Sequence, residues 1–149
     1  MKLIADELEK IIDECSPELK RISPEKFNSK ESPGKWSKKE ILGHLIDSAQ
    51  NNIRRFIVAQ YEDRPKITYN QDKWVVISDY QHYDEDDLIM LWELINKHIC
   101  CILRNTSQEM AERESQTEDL HTIEWLAKDY NRHLLHHLHQ VLDLEPISY

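Results

Sequence analysis

The chain has 149 residues, of which 40% are hydrophobic and 32% charged, with a formal net charge of -9. That is the size and make-up of one soluble globular domain, expected here to span residues 1–149. An acid excess of this kind argues against a nucleic-acid partner, because neutralising phosphates takes clustered Lys and Arg.

No run approaches the ~18 apolar residues of a membrane span. The opening "MKLIADELEK" is charged where a signal peptide would be apolar. Cys15, Cys100 and Cys101 are odd in number and two are adjacent, so they form neither a disulfide framework nor a Cys-x-x-Cys motif. Reduced thiols in a cytoplasmic protein are the expectation. With only two glycines, punctuation is scarce and long regular elements are favoured.

The first predicted helix carries Leu3, Ile4, Leu8, Ile11, Ile12 and Cys15 at three- and four-residue spacing, continued past Pro17 by Leu19 and Ile22. "SPEKFNSKESPGKW" follows as a turn-rich connection. "SKKE" at Ser37–Glu40 is a capping box, which starts the second helix near Lys38. That helix buries Ile41, Leu42, Leu45, Ile46, Ala49, Ile53, Phe56 and Ile57. Beside its apolar stripe, Ser48, Asn51 and Arg55 all fall within about 40° of His44 on a helical wheel. They are either a helix edge facing water or the wall of a polar cleft. Gly43, in mid-helix, costs about 1 kcal/mol relative to Ala and implies close approach of another group to the backbone.

Residues 62–83, with "KITYNQDKWVVISDY", are expected to be a long loop of partly extended character, a length that usually means a packed, functional segment. The acidic run Asp84–Asp87 suits the positive end of the third helix, whose stripe is Leu88, Leu91, Trp92, Ile95, Ile99, Ile102 and Leu103. His98 lies on the flank of that stripe, as a boundary residue or a lining of the cleft. His82 and His121 read as solvated.

The fourth helix, with Ile123, Leu126, Tyr130, Leu134, Leu138 and Val141, contains "NRHLLHHLHQ". At about 100° per residue, His133 and His137 lie on the edge of its core face, whereas His136 and His139 lie about 140–160° away on the solvent side. Imidazoles at i and i+4 can reach one ion, although a third donor must come from elsewhere. Four apolar stripes must face one another, so the expected architecture is an all-α four-helix bundle with long crossovers.

"PGKWSKKEILGHLIDSAQNNIRRF", the loop "YNQDKW" and the late "W-L-x-x-D-Y-x-x-H-L-x-x-H" together resemble the DinB/YfiT-like proteins over nearly the whole chain. The resemblance implies an up-down-down-up bundle and a divalent metal held by three histidines, carried over to His44, His133 and His137. Zinc or nickel would come first, then iron or manganese. Three imidazoles leave coordination positions open, as in a catalytic site.

Relatives of this kind transfer low-molecular-weight thiols to electrophiles, which makes a thiol S-transferase the leading expectation. A metal-dependent hydrolase and a non-catalytic, stress-responsive metal-binding bundle are the alternatives. Asp129, four residues before His133, could orient it or act as a base, and Asp47 could do the same for His44. Ser48, Asn51, Arg55 and Tyr130 are the candidate substrate contacts, with Asn51 and Arg55 suited to an anionic group. The expected partner is a small molecule, with neither nucleic acid nor membrane, and a homodimer is compatible with this reading.

Overall fold

The computed structural model describes residues 1–149. The four expected helices are α1 (Lys2–Leu19), α3 (Lys38–Val58), α5 (Glu85–Asn105) and α7 (Ile123–Val141). Shorter elements fill the connections: α2 (Pro24–Asn28), α4 (Gln71–Ser78), α6 (Gln108–Ala111), and the strands β1 (Glu114–Gln116) and β2 (Leu120–Thr122). No helix is long and apolar enough to cross a membrane.

Side-chain pairs between helices fix the topology. Arg104 of α5 pairs with Asp6 and Glu9 of α1, while Glu93 accepts from Ser16 at the other end, so α1 and α5 run antiparallel. Lys39 meets Glu85, and Gln60 just past α3 meets Thr106 just past α5, so α3 and α5 run parallel. Lys38 donates to the carbonyls of Gln140 and Val141 at the end of α7, so α3 and α7 are antiparallel. The order is therefore up-down-down-up, as the resemblance implied. The core between the helices includes Leu8, Leu42, Leu45, Phe56, Trp92, Ile99, Leu134 and Leu138, all fully buried. Each such Leu contributes about 1.5–3 kcal/mol.

Helix starts follow the local chemistry. Ser37 and Glu40 form the capping box in both directions. Asp84 caps α5, and Thr122 caps α7 by accepting from the Trp125 backbone. Pro17 sits inside the last turn of α1, so that helix carries through to Leu19 before it stops.

Two connections depart from expectation. The segment expected to be an extended loop contains α4, started by the Asn70 side chain accepting from the Lys73 backbone, then a 3-10 turn at Tyr80–His82. The β-branched "VVI" that reads as extended is helical because Val75 packs into the core while Val76 and Ile77 stay exposed. The second departure is a hairpin, β1–β2, between α6 and α7. The crossover docks on it: the Ile67 amide donates to the Gln116 carbonyl, and the Gln116 amide to that of Pro65. These two connections together wall one side of the space between α3 and α7.

Candidate metal centre

Fixed starts and an antiparallel pairing bring His44 on α3 level with His133 and His137 on α7. Their ring centroids lie 5.2 Å (His44–His133), 5.0 Å (His44–His137) and 4.6 Å (His133–His137) apart. One nitrogen from each lies within 4.8 Å of the others. The Nε2 atoms of His44 and His133 are 3.3 Å apart. Two nitrogens at ~2.0–2.1 Å from a tetrahedral ion would stand about 3.3–3.4 Å from each other, so the spacing fits shared coordination.

Protonation and hydrogen bonding agree with that fit. The Nδ1 atoms of His44 and His133 are buried without a protein partner. His137 Nδ1 bonds Gln140 Oε1 at 2.9 Å, an arrangement that keeps its Nε2 lone pair free to bind an ion. Burial, then the neighbouring His137, lowers the pKa of His44 to about 4. Burial and the other histidines lower His133 to about 3, and burial lowers His137 as well. All three are neutral at pH 7, the state in which imidazole donates to a metal.

This sets a pH dependence for the metal-free protein. The unfolded chain protonates His44 and His133 near pH 6.5, well above their folded pKa values, so their contribution is complete above that pH and lost as pH falls toward 4 and 3. For His44 the loss reaches about 2 kcal/mol at pH 5. Asp47, raised to about 6 chiefly by burial, acts in the opposite sense and offsets part of it. Urea unfolding at pH 7 and pH 5 should show a net loss for the wild type. His44→Gln should shrink that loss, and an equal loss in both proteins would contradict the assignment.

Beside His133 opens a polar cleft of roughly 340 Å³, lined among others by Ser48, Asn52, Arg55, Tyr69, Asp129 and Tyr149. Arg55 is anchored from behind: its Nε and Nη2 donate to the Ile67 carbonyl and its Nη1 to Asn52 Oδ1. Of five guanidinium N–H groups these bonds use three, which leaves one on each Nη for a ligand. No carboxylate lies within ion-pair distance of it. Ser48 and Arg55 therefore share the cleft with His133, as the polar stripe suggested. Asn51 does not: it is buried and donates to the Asp47 carbonyl. Tyr130 lines the cleft with its ring, while its hydroxyl donates to Asn96 Oδ1 on α5 at 2.6 Å.

The candidate orienting groups are engaged elsewhere. Asp129 accepts from the Tyr149 hydroxyl at 2.9 Å. Asp47 accepts from Tyr80 at 2.6 Å, and its second oxygen is buried without a partner. His98 and His82 are exposed and stand apart from the cleft. His121, read as solvated, instead lines it, stacked on Trp125 at 3.7 Å between centroids. Asn52, Tyr69 and Tyr149 line the cleft without being sequence candidates for it, although Tyr69 opens the loop "YNQDKW" and Asn52 lies within the α3 segment that carries the resemblance. Asn52 sits about 80° from His44 on the wheel, and the other two come from segments without helical periodicity.

A sequence model of the DinB superfamily matches residues 7–141. A protein of Oceanobacillus iheyensis that bears the name "Putative metal-dependent hydrolase" is 28% identical over 127 residues, covering 83% of this chain and 73% of its own. A Bacillus mycoides protein of the same name is 27% identical over 86 residues, 57% of this chain, and there the match spans only half of the relative. Among solved structures, Bacillus subtilis YfiT, described as a probable metal-dependent hydrolase with an unusual four-helix bundle topology, superposes with a TM-score of 0.79 at 21% identity. The match covers 93% of this chain and 84% of YfiT. A mycothiol-dependent maleylpyruvate isomerase superposes with a TM-score of 0.76 at 14% identity, covering 97% of this chain and 60% of the isomerase. At such identities these structures speak for the fold.

Proposed function

The chain belongs to the DinB superfamily, and from that premise we propose that it is a divalent-metal-dependent enzyme that transfers a low-molecular-weight thiol to an electrophilic substrate. The observation that carries this reading is a neutral three-histidine cluster whose member His133 lines a polar cleft that also holds an arginine with no ion-pair partner. A closed structural site would use a fourth protein ligand, and none stands beside these three.

His44, His133 and His137 would hold the ion, with zinc or nickel best matched to imidazole and iron or manganese next. When bound, such an ion supplies a Lewis acid that lowers the pKa of a coordinated thiol or water. Arg55 would receive a carboxylate of the thiol or substrate through its two remaining N–H groups, a bidentate geometry that lysine cannot copy. Ser48 lines the wall between Arg55 and the triad. Asp129, which lines the same cleft, would accept a hydrogen bond from the ligand.

The names of the sequence relatives favour a second reading, hydrolysis on the same ion. Turnover separates the two. Protein reconstituted with zinc or nickel is mixed with monobromobimane and a carboxylate-bearing thiol such as 3-mercaptopropionate, and in parallel with a nitrophenyl ester lacking thiol. Conjugation that requires both metal and thiol supports the transferase, and Arg55→Gln should raise KM for 3-mercaptopropionate about tenfold, or ~1.4 kcal/mol, while sparing that for 2-mercaptoethanol. Ester cleavage without thiol, and no metal-dependent conjugation, would transfer the assignment to hydrolysis.

A further inference from the structure

The two histidines that face away from the triad also have partners. The chain reverses after α7 at Asp143, which has φ 55°, and the Leu144 amide bonds the His139 carbonyl at 2.9 Å. That six-to-one bond across a left-handed residue is a helix-terminating motif, with Asp in the place glycine usually takes. Lys38 also bonds Asp143, which ties the reversal to α3. From there the chain runs back along α7. His139 Nδ1 donates to the Glu145 carbonyl at 2.6 Å and His136 Nδ1 to the Ile147 carbonyl at 2.8 Å. Tyr149 then meets Asp129 through its hydroxyl and His133 through its ring, at 5.2 Å between centroids. Arg132 lies over the same ring at 5.7 Å.

The register is what two repeats dictate. Six extended steps of about 3.3 Å cover ~20 Å, and α7 from Asp129 to its last residue, Val141, rises ~18 Å at 1.5 Å per residue, with the reversal at Leu142 and Asp143 making up the difference. Alternate residues 145, 147 and 149 therefore face the helix one turn apart, and Pro146, which has no N–H to satisfy, falls between two anchors.

We propose that residues 143–149 form a docked strap that walls the cleft over His133, and that the ring of Tyr149 determines which ligands reach the triad. The selectivity half rests on the reading of that cleft as the ligand's path to the metal; the covering of His133 does not. "NRHLLHHLHQ" thus divides its histidines by role: His133 and His137 face the ion, while His136 and His139 hold the strap.

Two measurements on the full chain test this. In metal-free protein, diethylpyrocarbonate labelling is followed at His133 by peptide mass spectrometry. Tyr149→Ala, and His139→Ala at the distant anchor, should each label His133 at least threefold faster than wild type, with His44 unchanged. Equal His133 rates in all three proteins would overturn the strap. In cobalt-loaded protein, the thiolate charge-transfer band reports binding of 2-mercaptoethanol and of the bulkier glutathione. Tyr149→Ala should raise the affinity ratio of glutathione to 2-mercaptoethanol at least fivefold, and Tyr149→Phe, which keeps the ring, should hold it within twofold. An unchanged ratio in the alanine variant overturns the selective role. Failure to take up cobalt, or a cobalt protein with no thiolate band, counts against the proposed function, and His133 labelling then decides the strap by itself.

Discussion

His44→Ala should abolish stoichiometric metal binding, and His133→Ala should do the same. Each removes one of three donors whose nitrogens lie within 4.8 Å of one another, and no fourth His, Cys, Asp or Glu stands close enough to replace it. Loss of an outer hydrogen-bond partner typically weakens a metal about 10–100-fold, so loss of a ligand should exceed ~100-fold. Equilibrium dialysis with zinc or nickel should give close to one ion per wild-type chain and far less in either variant. The exposed His82 serves as control, since His82→Ala should bind like wild type. Metal at a thousand times its Kd adds about 4 kcal/mol to the wild type's stability, so saturating metal should raise the Tm of wild type and leave both ligand variants unmoved. Near-unit stoichiometry in His44→Ala and His133→Ala together would remove the triad from consideration.

What the sequence reveals of this site is set by periodicity. On α7 the 100° step alone separates His133 and His137 from His136 and His139, because a helix maps sequence position onto direction. The same rule places Ser48 and Arg55 beside His44, and the capping box at Ser37 fixes where α3 begins. It fails where packing, rather than direction from the helix axis, decides which side chain reaches the cleft. Asn51, about 20° from His44 on the wheel, is buried and donates to the Asp47 carbonyl, whereas Asn52, about 80° away, lines the cleft.

It gives nothing for groups that tertiary structure brings in. Tyr69 arrives on a crossover docked to a hairpin that has no alternating apolar pattern, and α4 hides behind β-branched residues. His136 and His139 look like solvated side chains because their partners are backbone carbonyls, which carry no residue identity. The sequence therefore reads out the donors held by helices and hides the wall built by connections.

Gly43→Ala tests the one position where the backbone itself must be bare. Intrinsic preference favours the substitution by about 1 kcal/mol, because alanine is the better helix former. Packing opposes it. A Cβ at Gly43 would lie 2.1 Å from Cδ2 and 2.2 Å from Cγ of Tyr80, whose ring rests on α3 and whose hydroxyl holds Asp47. The ring cannot withdraw without releasing that bond, which would leave a buried carboxylate with neither oxygen partnered, a loss of ~1–3 kcal/mol beyond the ~1–3 kcal/mol of overpacking. Sterics win, and the net destabilisation should be about 3 kcal/mol. At ~2–4 °C per kcal/mol for a chain of this length, Tm should fall by roughly 6–12 °C. In a Tyr80→Ala background the contact is gone, so the same glycine substitution should become neutral or mildly stabilising. A Gly43→Ala protein that melts at or above wild type would show that Tyr80 yields freely. Because His44 is the next residue, any shift of α3 that relieves the clash also moves a triad member, and metal affinity should fall along with stability.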